Sequence, residues 1–364
     1  MRRRAGVLAA AAVALLAGSA AAQNPPSLPA AQIEAVERIL TAEMSRWGIP
    51  GLSLGVVVDG EIRLANGYGV ADLENNVPAK ATTLYRLGSI SKTLTATAVM
   101  QLSEREKLDL DAPIQKYVPG FPEKPWPVTA RQLLAHLGGI RNYSEGEFGS
   151  TRRYASVGEA LAIFKDGPLA CEPGTKFLYS TYGYTLLGAA LEGATGESYL
   201  DHLRKQVLEP AGMERTVADD ALAVLPNRAQ GYVRLASGDL RNSALADTSN
   251  KIPGGGLAGT ALDLARFVIA LENGVLVKKE TLARMLTRQA ARDGKPSGYG
   301  LGVFLGNRRG VREAWHTGGQ QRVSTVLYLQ PDRRLGVVVL ANLEGVRDRL
   351  LEVARQVADI AAAR

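Results

Sequence analysis

The hydrophobic pattern has helical spacing at both ends of the chain. A first helix is predicted by apolar residues at helical intervals: Ile33, Val36, Leu40, Met44 and Trp47. Gly48 and Pro50 predict the end of this helix. A closing helix is predicted in the same way by Val346, Leu350, Val353, Val357 and Ile360. Each end of the chain therefore contributes one amphipathic helix.

Strand-like runs lie beside both helices. The runs that predict strands are 52–58, 61–65, 300–305, 312–317, 323–329 and 335–341. Asp59-Gly60 joins the first pair of runs and predicts a β-hairpin. The segment 331–334 joins the last pair and predicts a second hairpin.

The two β-rich ends are each too small to bury a face, so we expect them to form one antiparallel sheet covered by the first and last helices. Residues from about 86 to 285 are mainly helical and loop-like in pattern. The expected fold class is therefore α/β (α+β) with two lobes. An α/β lobe takes residues of about 23–85 and 286–364, and an inserted all-helical lobe takes about 86–285. Residues 23–364 would form a single domain with a ligand cleft between the lobes.

The N-terminus has the pattern of a secretory signal peptide. Three arginines at positions 2–4 precede an apolar run at 5–16, and Ser19-Ala-Ala-Ala22 supplies a cleavage site of small residues. The apolar run is too short for a confident membrane span. We therefore expect residues 1–22 to be removed and the mature chain to be periplasmic or secreted, without a membrane anchor.

Composition excludes several classes of partner and cofactor. Loss of residues 1–22 removes three arginines and no acidic residue, so the formal charge falls from +7 to +4. A positive charge that is this small and scattered does not favour the binding of nucleic acid. The chain has one cysteine, Cys171, and three histidines, none at ligand spacing, so neither an intrachain disulfide nor a zinc site is expected. A hydrophobic content of 46% is ample for a large core.

The segment 254–259 matches Gly-x-Gly-x-x-Gly but does not predict a dinucleotide site. That motif must follow a strand, whereas Ser-Asn-Lys-Ile-Pro253 precedes it here. A close-packed glycine loop is the better interpretation. It leads to Thr260 and Asp263, which resemble a helix capping box.

Ser89 and Lys92 form the most informative motif. Residues three apart share one face of a helix, so the lysine amine can reach the serine hydroxyl. A hydroxyl beside a base is a candidate nucleophile, and a Ser-Lys pair is one recurring form. The alternative is a helix N-cap at Ser89 with a solvated Lys92. No other lysine in the chain has a serine three residues before it.

Two further motifs follow in order, Tyr179-Ser-Thr181 and His316-Thr317-Gly318. With Ser89-x-x-Lys92 they resemble the serine β-lactamase and penicillin-binding-protein superfamily, in its class C-like and esterase-like branch. There the motifs run Ser-x-x-Lys, Tyr-x-Asn, and Lys-Thr-Gly or His-Thr-Gly. The segment 117–124 and the flanks of Tyr179 resemble the mitochondrial serine β-lactamase-like group most. The resemblance covers essentially the whole mature chain.

The resemblance implies a role for each motif residue. Ser89 would be acylated. Lys92 would act as the general base or adjust the pKa of that base, and Tyr179 would carry a proton to the leaving group. The backbone amides of Ser89 and Gly319 would form the oxyanion hole. Thr181, His316, Thr317 and Gly318 would line the substrate site. Whether Lys92 or Tyr179 is the principal base stays open.

Two positions depart from the β-lactamase pattern. Thr181 stands where many members have asparagine, and His316 stands where lactam hydrolases have lysine. A histidine with an ordinary pKa is mostly neutral at pH 7, so a charge that commonly helps to hold a penicillin carboxylate is lost. Arg322 is a possible substitute for that charge. Both departures favour an esterase or peptidase over an efficient β-lactamase.

The sequence thus predicts an exported serine hydrolase that acts on an ester, amide or peptide bond of a small-molecule or peptide substrate. No metal or organic cofactor is expected. Two alternatives remain: a β-lactamase or D-Ala-D-Ala-type peptidase proper, and a structural or assembly protein that retains the fold. Self-assembly is left open, as are the natural substrate and the export route.

Overall fold

The computed structural model describes residues 27–295 and 297–363, so the expected signal peptide at 1–22 lies outside the described residues. The helices are α1 (Ala30–Trp47), α2 (Ser91–Glu104), α3 (Ala130–Leu134), α4 (Val157–Leu161), α5 (Thr181–Thr195), α6 (Tyr199–Leu203), α7 (Ile252–Gly255), α8 (Ala261–Glu272), α9 (Lys279–Met285) and α10 (Arg347–Ala361). The strands are β1 (Gly51–Val58), β2 (Glu61–Asp72), β3 (Val77–Pro78), β4 (Tyr85–Arg86), β5 (Val217–Ala218), β6 (Tyr232–Arg234), β7 (Leu240–Asn242), β8 (Leu257–Gly259), β9 (Phe304–Arg308), β10 (Val311–Gln320), β11 (Val323–Gln330) and β12 (Leu335–Ala341).

The two ends of the chain meet in one seven-stranded antiparallel sheet, in the order β3-β2-β1-β12-β11-β10-β9. The join between them is the pairing of β1 with β12, which runs from Leu52 opposite Ala341 to Val58 opposite Leu335. Both predicted hairpins, β1–β2 and β11–β12, are present. The sequence-based prediction of a sheet shared by both ends is confirmed.

Both faces of the sheet are covered by helices. Along β12, Val337 and Val339 pack into a core cluster with residues of α1 and α10, whereas Val338 and Leu340 pack into the cluster that contains α8. Successive strand residues point to opposite faces, so a strand covered on both sides reads as a continuous apolar run. This explains why all seven residues of β12 are apolar or glycine and buried.

One strand begins later than the sequence predicts. The expected strand at 300–305 is replaced by a bend followed by β9, and Gly302 in the bend has φ of +93°. A Cβ at Gly302 would lie 2.3 Å from the Cβ of Ala96. The chain passes directly against α2 here, so it turns before it can join the sheet. Strand β10 extends further than predicted, to Gln320.

The middle region is mainly helical, with α2 and α5 at its centre. It also contains two small sheets that the hydrophobic pattern did not predict, β4-β8-β5 and β6-β7, so it is not all-helical. Their strands are two or three residues long, too short to give a period-2 pattern. The fold class is α/β (α+β), as expected. Within the described ranges no helix is both long and apolar enough to cross a membrane.

Candidate active site

Ser89 lies in a helical turn, Gly88–Ile90, that leads directly into α2. The left-handed φ of Gly88, +54°, starts this turn and is a conformation that glycine adopts readily. Ser89 therefore is not an N-cap, and no side-chain cap is present at the start of the turn or of α2. The alternative of a capping serine with a solvated lysine is wrong, because Lys92 is completely buried.

The Nζ atom of Lys92 lies at the meeting point of three segments. It is 3.0 Å from the Oγ of Ser89, 3.1 Å from the Oγ1 of Thr181 and 2.6 Å from the carbonyl oxygen of Gly254. Helix α2, the start of α5 and the glycine-rich α7 thus converge on one amine. The glycine segment that mimics a dinucleotide loop in sequence supplies a carbonyl to the candidate base.

Burial lowers the pKa of Lys92 well below its ordinary value near 10.5, and the positive charge of Lys251 lowers it further. Both effects disfavour the ammonium form. Lys251 is itself buried, donates to the carbonyl oxygen of Phe148 at 3.0 Å, and has a pKa lowered to about 8, mainly by burial. Two buried lysines therefore share this region, and the neutral amine is favoured at Lys92.

Tyr179 and Thr181 are placed by the start of α5. Ser180 caps this helix by accepting a hydrogen bond from the amide of Gly183, which fixes its two neighbours beside the lysine. The Nζ of Lys92 lies 4.8 Å from the centre of the Tyr179 ring. Burial raises the pKa of Tyr179, and a hydrogen bond with Ser89 opposes that rise. The tyrosine hydroxyl is therefore held protonated next to the serine.

His136 holds this tyrosine segment in place. Its Nδ1 accepts a 3.1 Å hydrogen bond from the amide of Ser180, and its ring lies 4.2 Å from that of Tyr179, centre to centre. The residue is buried and has φ of +58°. The sequence analysis did not select His136 as a site residue. A left-handed, non-glycine residue is uncommon and frequently marks a functional site, but the sequence alone does not reveal it.

His316 lies on β10 with both ring nitrogens engaged. Its Nδ1 donates to the carbonyl oxygen of Thr317 at 2.8 Å, and its Nε2 accepts from the hydroxyl of Tyr299 at 3.0 Å. A carbonyl can only accept, so the proton of the neutral ring is on Nδ1. Burial lowers the pKa of His316 to about 3, with Lys92 adding to the effect. This position carries no positive charge at pH 7.

Gly318 and Gly319 bring β10 against the serine turn. Strand β9 pairs with β10 only as far as Trp315, which leaves the later part of β10 as a free edge. A Cβ at Gly318 would lie 2.3 Å from the carbonyl oxygen of Leu87 and 3.2 Å from the amide nitrogen of Ser89. Only glycine permits this approach. Ser89 and Gly319, whose amides the resemblance assigns to the oxyanion hole, both line the pocket.

The pocket itself has a volume of about 470 Å³. Of the residues predicted from sequence, those that line it are Ser89, Tyr179, Thr181, His316, Thr317 and Gly319. Lys92 and Gly318 are buried and do not line it.

Eight residues that the sequence analysis did not select as site residues also line this pocket, among them Asn142, Phe148 and Arg347. Asn142 Oδ1 accepts from the amide of Thr181 at 3.0 Å, so its Nδ2 is the atom left to donate to a ligand. Arg347, at the start of α10, is about half exposed beside Gly319. Arg322 lies in a different cavity, so the pocket's cation is Arg347 and not the arginine suggested by sequence. A helix-terminal arginine carries no signal of its own in a single sequence.

The remaining expectations concern residues outside the pocket. His202 is buried, and its Nδ1 lies 3.2 Å from a carboxylate oxygen of Glu197. The described residues contain no group of three or more histidine, cysteine or acidic side chains able to hold a metal.

Comparisons with known proteins agree with this geometry. The sequence profile of the Beta-lactamase family matches residues 36–362. The mitochondrial serine beta-lactamase-like protein LACTB of Homo sapiens is 32% identical, over 82% of this chain and 72% of its own length. An octameric penicillin-binding protein homologue from Pyrococcus abyssi superposes with a TM-score of 0.74 at 29% identity, covering 85% of this chain and 73% of that one. EstCE1, a hydrolase with promiscuous acyltransferase activity, superposes with a TM-score of 0.77 at 23% identity, covering 91% and 98%, which shows a shared fold. The motifs, their convergence on one pocket and a profile match over nearly the whole described chain lead to one conclusion: the chain belongs to the Beta-lactamase family.

Proposed function

We propose that this protein is a serine hydrolase that acts through an acyl-enzyme on Ser89. The observation that carries the proposal is the environment of Lys92. Its amine is completely buried and contacts the Ser89 hydroxyl, and within the described part of the chain no carboxylate lies within 4.0 Å of it. A lysine kept only for structure would need a compensating charge at such a site, whereas a general base is most effective without one.

Acylation follows from the contacts. The neutral amine of Lys92 accepts the Ser89 proton while Oγ attacks the substrate carbonyl carbon. Negative charge develops on the carbonyl oxygen, where the amides of Ser89 and Gly319 stabilise it. Tyr179, which burial keeps protonated, donates its proton to the leaving group, and the proton gained by Lys92 restores the tyrosine hydroxyl. We therefore assign Lys92 as the principal base and Tyr179 as the proton donor.

An ester, amide or peptide is the proposed substrate class, with esters and peptides preferred over lactams. Neutral His316 supports this, because it supplies neither charge nor a free ring nitrogen to a substrate carboxylate. The presence of Arg347 in the pocket favours the second candidate, a β-lactamase or D-Ala-D-Ala-type peptidase, because its guanidinium can pair with a substrate carboxylate. Ser89 and Tyr179 line the pocket and buried Lys92 contacts Ser89, so the groups that either reaction requires lie together.

An assembly role remains the alternative of another class. The Pyrococcus abyssi homologue is described as octameric. Light scattering of the mature protein measures whether this chain also assembles, and assembly is compatible with catalysis. Export remains a proposal that rests on the sequence of residues 1–22 alone.

The decisive experiment is labelling with a fluorophosphonate probe followed by mass spectrometry. We expect the probe mass on the peptide that contains Ser89, and no label in a Ser89→Ala control. Labelling elsewhere, or none in folded protein, contradicts the proposal. A panel of p-nitrophenyl esters, nitrocefin and D- and L-amino peptides then ranks the substrate classes.

A further inference from the structure

A second cavity of about 360 Å³ lies beside, and separate from, the active-site pocket. Four arginines line it: Arg86, Arg153, Arg228 and Arg322. Its other walls include Leu222, Leu245 and Asp247. The motifs and the proposed reaction use none of these residues.

Two of the arginines pair with carboxylates of the protein. Arg86 is buried and pairs with Asp219 at 2.6 Å, while its terminal nitrogens donate to the carbonyl oxygens of Ala246 and Gln321. Arg153 makes a two-pronged contact with both carboxylate oxygens of Asp220. These pairs hold the cavity walls in a fixed arrangement, because such bidentate contacts are geometrically specific.

The other two arginines retain donors. Arg228 donates one terminal nitrogen to the carbonyl oxygen of Asp220, whereas its Nε is buried and has no partner among the described residues. The guanidinium of Arg322 makes no ion pair within 4.0 Å with an acidic side chain of the described residues, whereas its backbone amide donates to Oε1 of Glu344 at 3.1 Å. The unpartnered Nε of Arg228 and the partly buried guanidinium of Arg322 are therefore suited to an anionic acceptor.

The position of Arg322 depends on two unusual backbone features. Its φ is +82°, a conformation that residues with a side chain rarely adopt. It also packs on Gly231, where an added Cβ would lie 2.1 Å from the Cβ of Arg322. A turn glycine at position 322 would relieve both constraints. The arginine side chain is therefore directed into the cavity at a cost in backbone energy.

The cavity mouth is apolar and open. Leu222 and Leu245 are 77% and 73% exposed, although large apolar side chains gain free energy when covered. Asp219 pairs with Arg86 and Asp220 pairs with Arg153, which leaves the guanidinium of Arg322 without an acidic partner among the described residues. A ligand with one negative charge and an apolar tail matches both features.

We propose that this cavity binds a small monocarboxylate with a short apolar chain. Its carboxylate contacts the guanidinium of Arg322 and the Nε of Arg228, and its apolar chain covers Leu222 and Leu245. A doubly charged phosphate fits less well, because the carboxylate of Asp247 lines the same cavity. This site does not depend on the identity of the reaction at Ser89.

Isothermal titration with sodium octanoate tests the proposal, using octylamine as the ligand of opposite charge. We expect one octanoate site in the wild type and affinity at least about tenfold weaker in Arg322→Gln, as for loss of a charge-assisted hydrogen bond. Arg309→Gln, a change at an exposed arginine elsewhere, is the matched control and should bind as the wild type does. Arg347→Gln should also retain binding, which separates this cavity from the active site.

Leu245→Asp provides a second variant that leaves every arginine contact intact. It places a negative charge at the open mouth, so octanoate affinity should fall there too. The proposal is overturned if the wild type binds no octanoate, or if the Arg322→Gln and Leu245→Asp variants bind it as tightly as the wild type does. It is also overturned if the Arg347→Gln variant loses octanoate binding. Equal binding of octylamine would also overturn it.

Discussion

The Nζ of Lys92 donates a hydrogen bond of 2.6 Å to the carbonyl oxygen of Gly254. A carbonyl only accepts, so this contact takes one amine hydrogen and turns it away from Ser89. In the neutral amine, the lone pair can then point towards the serine hydroxyl. Gly254 lies 162 residues after Lys92, so the orientation of the base depends on a distant part of the chain.

We expect Ser89→Ala to lower turnover by at least about 10³-fold, because only the oxyanion hole and binding remain. Lys92→Ala should be of similar severity, and the double variant hardly worse, since the two residues act as one unit. Steady-state kinetics on the best ester of the substrate panel measures all three. Near-normal turnover in either single variant is incompatible with the mechanism.

Lys251→Met should shift the acidic limb of the kcat/KM profile to higher pH. The charge of Lys251 lowers the pKa of Lys92, so its removal raises that pKa and the ammonium form persists to higher pH. Lys251→Arg keeps the positive charge and serves as the matched control, with a limb near that of the wild type. An unshifted profile in active Lys251→Met protein would show that this charge does not tune the base.

Arg347→Gln should lower kcat/KM for nitrocefin by about tenfold or more relative to p-nitrophenyl butyrate, because nitrocefin bears a carboxylate. His316→Lys should shift the ratio the other way by adding a charge, and short activated esters should be the better substrates of the wild type at pH 7.5. Arg322→Gln, in the neighbouring cavity, should leave the ratio unchanged. A wild type that prefers nitrocefin would refute the argument against a β-lactamase.

Burial of neutral His316 makes the free energy of unfolding depend on pH. Its pKa is about 3 when folded and near 6.5 when unfolded, so between these values the unfolded state binds more protons and stability falls as pH falls. From pH 7 to about 4.5 this one group should remove roughly 2–3 kcal/mol. Urea denaturation at both pH values should show a smaller loss in His316→Gln. Equal losses of stability in the wild type and in His316→Gln would show that other groups cause the pH dependence.

Mature protein recovered from a bacterial periplasm should begin at or near Gln23, because the small-residue site ends at Ala22. Intact-mass measurement determines the N-terminus directly. An untrimmed chain in the membrane fraction would instead indicate a tethered protein.

The sequence by itself determined the sheet, both terminal helices and the order of the motifs. These features depend on local spacing: β12 is apolar throughout because both its faces are buried, and Ser89 reaches Lys92 because three residues span about one helical turn. The motif resemblance then located Tyr179 and Gly319 without any structural information.

Only the tertiary structure decided the electrostatics of the site and the identity of its cation. Gly254, Lys251 and Thr181 reach Lys92 from segments far apart in sequence, and the burial that lowers its pKa exists only after they meet. The sequence suggested Arg322 as a source of positive charge, yet of these two arginines only Arg347 lines the active-site pocket. Local sequence patterns determine which helices and strands form. Burial and contacts between distant segments exist only in the folded chain, and they determine the pKa values and the charge of the site.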